Sequence, residues 1–434
     1  MHRGYREGSN RVKSVQAAEA AIVRGAASGR TGRTARRAAV AVAMGGVLLF
    51  TAACNSGGGS GGGSTDAGGS GGAGGSTTQA APKTSAAVIT VTPKDGATDV
   101  APNGGLTVSV AGGKLTAVQV ADKNGTAVAG AISADGLTWK PSGSLTVGMA
   151  YTVNAQAKDD KGLPAASTSS FTTLTPAKKV ATNDNIADNG TYGVGMIVSV
   201  AFSKPVKNKD AVVAGITFDA GDGTTVKGHW FGSQRLDFRP ADYWKPGTKV
   251  TVHYRLKNVE VSPGVYGDVD RDEPFTIGRY QVSTVDAASH VMTVKSGDGS
   301  AKTIPITAGN DQNPSWNGTM VISSKERVTR MNSATVANVK GDEYDVPDVP
   351  HAMRLTASGT YVHGNYWGNA FGKSNASHGC IGLSDAKGGS ESSSAGKFFN
   401  GSLVGDVVKI VNSRGKTVSP DNGLSGWTLP WASW

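Results

Sequence analysis

Thr360-Tyr361-Val362-His363-Gly364 is a strand-like run that ends on a histidine, and Ser377-His378-Gly379-Cys380 carries one of only two cysteines in 434 residues, seventeen positions after that histidine. A free thiol is mostly protonated at neutral pH and needs a base to become a nucleophile. Histidine is the side chain best suited to that task. The pair reads as a Cys380 nucleophile with a His363 base, the signature of acyl-transfer chemistry. A strand under His363 would give it a rigid mount. Gly379 permits close backbone approach to a substrate. The N–H groups of His378, Gly379 and Cys380 are expected to converge on one oxygen as an oxyanion hole. Tyr366 and Trp367 follow His363 closely enough to wall the pocket.

Two other readings of these residues stand beside this one. Cys380, His363 and His378 supply three zinc-type ligands, with Asp385 near in sequence, yet no fourth ligand recommends itself. A lone cysteine in a β-rich domain is also often a small buried hydrophobe. No metal or other cofactor is expected.

Outward from this centre the chain is almost all strand grammar. Gln281–Val285, His290–Val294, Lys302–Thr307, Gly318–Ile322 and Val404–Val411 read as strands of the same unit, 279–413. Only 385–400 suggests a helix, a short one weakened by glycine and serine. Upstream, Val88-Ile89-Thr90-Val91-Thr92, Leu106–Val110, Ala117–Val120 and Tyr151–Ala155 alternate apolar and polar residues between turn clusters. That pattern points to a β-sandwich over 87–176, with Trp139 in its core. A second such unit spans 177–278, and the two echo each other: Leu137-Thr138-Trp139-Lys140-Pro141 resembles Leu236-Asp237-Phe238-Arg239-Pro240. Neither holds a catalytic constellation, so both read as spacers or docking modules. The fold expected is mostly β: two tandem immunoglobulin-like sandwiches, then a β-rich catalytic domain. The tail, 414–434, holds Trp427, Trp431 and Trp434, which either stack on glycan or pack against a neighbouring domain; packing is the favoured reading.

The N-terminal part reads as an export and anchoring segment. Arg33, Arg36 and Arg37 precede an apolar run from Ala38 to Ala53, too short to span a bilayer comfortably. Residues 1–53 therefore form a signal region, with a first thirty residues that are long for a signal and suggest a cytosolic extension or a later true start. Cys54 follows two alanines. Residues 55–86 are almost wholly Gly, Ser, Ala and Thr, so 54–86 is a flexible tether. The net charge of +10 is no nucleic-acid signal, because nine of the basic residues lie in 1–37 against Glu7 and Glu19. From Cys54 onward 34 basic residues face 31 acidic ones. No basic stripe remains to neutralise phosphates.

The segment Gly359–Ser384 resembles the active-site region of the L,D-transpeptidases, whose catalytic domain is often called YkuD. Their pattern is a histidine, a spacer of mid-teens length, Ser/Thr-His-Gly-Cys, a hydrophobic residue, then Asn or Arg. Actinobacterial members also carry immunoglobulin-like domains and a tryptophan-rich end like Gly426–Trp434. The resemblance implies Cys380 as nucleophile, His363 as base, and Ser377, His378 and Gly379 around the oxyanion. It implies a supporting hydroxyl at Tyr344 and a lid residue at Met331. Ala52-Ala53-Cys54 resembles a lipobox, implying a diacylglycerol on Cys54 and a place on the outer face of the cell membrane; an ordinary signal peptide is the other reading. Implied partners are peptidoglycan stem peptides, with carbapenem β-lactams as inhibitors. The implied reaction is a 3→3 crosslink made through a thioester, with release of D-Ala. Water as acceptor would give a carboxypeptidase, and a decayed site a cell-wall-binding scaffold. The chain departs from the pattern at Gly382, where the family has Asn or Arg, and at Gly364, where close relatives have Ser.

Overall fold

The computed structural model describes residues 84–336 and 343–434. Cys54, the signal region and nearly all of the tether lie outside the described residues. No described helix is long and apolar enough to cross a membrane.

The first sandwich packs the sheet Val88–Thr92, Thr107–Ala111, Thr138–Pro141, Gly130–Ile132 on the sheet Ala97–Val100, Pro164–Thr173, Ala150–Lys158, Lys114–Asp122. Strand Ala150–Lys158 alternates exposed and buried residues throughout, as a half-buried antiparallel strand must. Its inward residues Tyr151, Val153, Ala155 and Ala157 join Trp139, Leu106 and Phe171 in one core. The second sandwich pairs the sheet Thr182–Asp184, Val198–Phe202, Arg235–Pro240, Val226–Phe231 with the sheet Gly190–Tyr192, Asp270–Ile277, Lys249–Arg255, Ile216–Ala220. Trp244, Phe238, Tyr254 and Phe275 fill its interior.

The C-terminal unit is a nine-stranded sheet. Its strands are β1 (Gln281–Asp286), β2 (Val291–Ser296), β3 (Ala301–Thr307), β4 (Gly318–Val321), β5 (Ser324–Asn332), β6 (Asp345–Arg354), β7 (Tyr361–Asn365), β8 (Ile381–Ser384) and β9 (Val407–Val411). Their order is β4-β9-β1-β2-β3-β8-β7-β6-β5. The single α-helix of this unit among the described residues, α1 (Ser394–Gly401), is capped by Ser393, whose Oγ accepts from the Gly396 N–H at 2.8 Å. Phe398 and Phe399 of α1 pack on Val362, Ile381 and Leu383. The helix thus covers one face of the β7–β8 pair and leaves the other for chemistry.

The tail docks on the second sandwich. Trp427 Nε1 donates to Gly195 O and Trp434 Nε1 to Lys227 O, both at 2.8 Å. Between the indoles lies Arg239, 1% exposed, its guanidinium carbon 4.5 Å from the Trp427 ring centre and 4.4 Å from that of Trp434. Burial lowers this arginine's pKa to about 10. No carboxylate bridges to Arg239 among the described residues; aromatic faces and the Leu429 carbonyl, 2.8 Å from Nη2, hold it instead. Deleting 426–434 strips these partners from a buried cation and opens an indole-sized cavity, a loss of about 3 kcal/mol or more. Thermal unfolding of the truncated chain is expected to show a lower midpoint, with the acylation rate of the surviving folded fraction unchanged.

Candidate active site

Two neighbouring strands build the site. β7 and β8 run parallel, with Val362 opposite Ile381, His363 opposite Gly382 and Asn365 opposite Ser384. Partners in such a ladder share a face and successive residues alternate. Tyr361, His363 and Asn365 therefore stand on the face that Gly382 shares, and Cys380, two places before Gly382, enters on that face too. Val362, Gly364, Ile381 and Leu383 point to the helix side.

His363 is 5% exposed and Cys380 8%. The His363 Nδ1 lies 2.9 Å from Gly364 O. A carbonyl only accepts, so Nδ1 carries the proton and Nε2 keeps its lone pair. Burial pushes the imidazole's pKa below its ordinary value, opposed in part by the bond to Gly364 O. Burial raises the Cys380 thiol to about 11, against a thiolate-favouring contact from the Tyr361 main chain. The resting pair is thus neutral thiol and neutral imidazole. The thiol's proton points to Gly359 O, 3.6 Å from Sγ. No hydrogen bond joins Sγ to the His363 imidazole among the described residues.

The loop before Cys380 is pinned on several sides. Ser377 N donates to Ala308 O at 3.0 Å and Asn310 N to Ser377 O at 2.9 Å. Ser377 Oγ donates to Cys380 O at 2.5 Å, and Ser315 Oγ to Gly379 O at 2.9 Å. Gly379 has φ +112, a conformation L side chains rarely adopt. Its own N–H donates to Ser377 Oγ at 3.2 Å. The N–H groups of His378 and Cys380 make no such bond among the described residues. Tyr344 stands beside them, its ring centre 5.0 Å from that of His378. Burial, with lesser contributions from Cys380 and Tyr361, raises its phenol to about 12, so it remains a proton-bearing donor. Met331 is buried with Val349 and Ala352, against Tyr344 and Tyr361. Trp367 is half exposed, yet its ring lies 5.8 Å from the His363 imidazole at 16°. Among the described residues no group of three or more His, Cys, Asp or Glu is placed to hold a metal ion.

Comparison with known proteins gives this geometry its family. The profile of the bacterial Ig domain matches residues 97–260, and that of the L,D-transpeptidase catalytic domain matches residues 280–410. L,D-transpeptidase 2 of Mycobacterium tuberculosis is 31% identical over 358 residues, 80% of this chain and 83% of that protein. The chain belongs to the L,D-transpeptidase family. L,D-transpeptidase 5 of the same species is 28% identical over 80% of this chain and 76% of its own length. The solved structure of the L,D-transpeptidase LdtMt1 in complex with imipenem is 30% identical, covers 54% of this chain and 100% of its own, and superposes with a TM-score of 0.46.

Gly364 and Gly382 both sit where a Cβ would be crowded. A Cβ on Gly364 would lie 2.2 Å from Asp385 Oδ2. That carboxylate accepts from His351 Nδ1 at 2.7 Å, both side chains being almost fully buried. A Cβ on Gly382 would lie 2.9 Å from Thr307 Cγ2 and 3.4 Å from Asn365 Nδ2. His351 and Asn365 carry no motif and were not singled out by sequence; only the strand pairing gives them a place beside the site.

Proposed function

We propose that this L,D-transpeptidase forms 3→3 peptidoglycan crosslinks through a thioester on Cys380. The observation that carries the reading is the shared face of β7 and β8. It supports the reading because His363 and Cys380 fall on one face, with Nδ1 tied to Gly364 O and the Nε2 lone pair left to take a proton. As a tetrapeptide stem binds, Sγ attacks the carbonyl of its third residue and the thiol proton passes to Nε2. The N–H groups of His378 and Cys380 and the Tyr344 hydroxyl would receive the negative oxygen. The C–N bond to the terminal D-Ala breaks, and His363 returns the proton to the leaving amine. An amine of a neighbouring stem then attacks the thioester, losing its proton to His363, and restores the thiol. Water in place of that amine yields a tripeptide stem. A diacylglycerol on Cys54 would hold the enzyme on the outer face of the cell membrane, with residues 55–86 supplying reach.

The test is incubation with a disaccharide-tetrapeptide and mass analysis of the products. Crosslinked dimers with loss of D-Ala support transfer, tripeptide alone assigns a carboxypeptidase, and unchanged substrate favours a scaffold. Imipenem offers a strained acyl carbonyl to the same thiol. Its adduct on the intact protein is expected in the wild type and absent in Cys380→Ala. An adduct that survives that substitution would overturn the assignment of the nucleophile.

A further inference from the structure

Asn365 is a buried carboxamide two residues beyond the base, on the same face of β7. Its Oδ1 accepts from the Trp367 N–H at 3.1 Å and the Gly368 N–H at 2.9 Å. Such a side-chain turn reverses the backbone as soon as the strand ends. The reversal brings the Trp367 indole back along the strand until it lies nearly parallel to the His363 ring. The carboxamide itself packs over Gly382, a position that Thr307 Cγ2 crowds, at 2.9 Å from where a Cβ would stand. A Cβ there would meet Asn365 Nδ2 at 3.4 Å and Asn365 Cβ at 3.5 Å. A Cβ on Gly368 would meet the same Nδ2 at 3.0 Å. Asn365, Gly368 and Trp367 thus fit together as one unit.

We propose that Asn365 is a positioning residue that clamps Trp367 as a plate over His363. The plate keeps bulk water off the imidazole and gives the bound stem a flat apolar wall. Trp367 is 51% exposed, so one side of the indole remains open to a ligand. The inference rests on the proposed cysteine chemistry, and its test separates the two.

Acylation by imipenem is followed by intact-protein mass on the full chain across pH. A wild type that forms no adduct would sink the proposed chemistry itself. Given a wild-type adduct, Asn365→Ala is expected to slow acylation about tenfold to a hundredfold, as a small misplacement of a catalytic group does. Its acidic limb should move to higher pH, because a less shielded imidazole returns toward its ordinary pKa. Asn365→Asp keeps the acceptor for both N–H groups and should recover most of the rate at pH 8, where the imidazole is neutral. Trp367→Ala should match Asn365→Ala, and the double variant should be no slower than either alone. Wild-type rate and pH profile in Asn365→Ala, or losses that multiply in the double variant, would overturn the proposal.

Discussion

Replacing His363 by alanine should slow imipenem acylation of Cys380 about a thousandfold at pH 7, within the range a positioned general base supplies. The size follows from the thiol's surroundings. With its pKa near 11, only about one Cys380 in ten thousand is ionised at pH 7. On the proposed chemistry, attack draws on proton transfer to Nε2 rather than on a standing thiolate. The two proteins should also differ in the shape of their pH profiles. His363 acts only when neutral, and burial holds its pKa below the ordinary value of 6.5. Wild-type acylation is then lost as pH falls through that lowered pKa and stays level through neutrality. The alanine variant has only spontaneous ionisation to draw on, so its rate should climb about tenfold per pH unit toward the thiol pKa. Rapid-mixing kinetics from pH 5 to 10 would show both. A variant that keeps a flat profile and a rate within about threefold of wild type would remove His363 from the mechanism.

The proposed nucleophile and base stand out in the sequence because each is a scarce residue type in a short local motif. So do the sandwich strands: Ala150–Lys158 has one wet and one dry face, and alternation follows from that alone. Less was legible wherever meaning comes from register. Asp385 stands twenty-one residues after Gly364 and touches it only because β7 and β8 pair in parallel. Asn365 reads as a polar residue at a strand end until its side chain is seen to accept from the Trp367 and Gly368 N–H groups. The tail left two readings open because its partner, Arg239, is about 190 residues away. Helix α1 was weak in sequence for an energetic reason. Its glycines and serines disfavour helix, and the burial of Phe398 and Phe399 together with the Ser393 cap offsets them.

The largest stability effect in the catalytic unit is expected at Gly364. Gly364→Ser would set a Cβ 2.2 Å from Asp385 Oδ2 and 2.9 Å from Asp385 Cβ and Cγ. No rotation of the new side chain relieves a clash at Cβ, so the carboxylate must leave. Asp385 is held by more than one bond: His351 Nδ1 at 2.7 Å, and the main-chain N–H groups of Ala386 and Ser390 on Oδ1 at 2.8 and 2.9 Å. Burial works against its charge, but these hydrogen bonds outweigh it and keep the carboxyl's pKa below the usual range. His351 has φ +51, a strained position for a non-glycine residue that its surroundings must enforce. Displacing the carboxylate abandons these donors, a cost of about 3–5 kcal/mol for breaking a buried pair, of which relief of the His351 strain returns only a part. In a domain of this size the unfolding midpoint should drop by roughly 10 °C. Acylation should fall too, because the same strand carries His363 and the carbonyl that fixes its tautomer. The double variant Gly364→Ser, Asp385→Ala tells a local collision from a general intolerance of serine. With the carboxylate gone, adding serine should cost far less than it does in the wild type. Serine alone leaving stability intact, or costing the same in both backgrounds, would mean that Asp385 is not what requires glycine at this position.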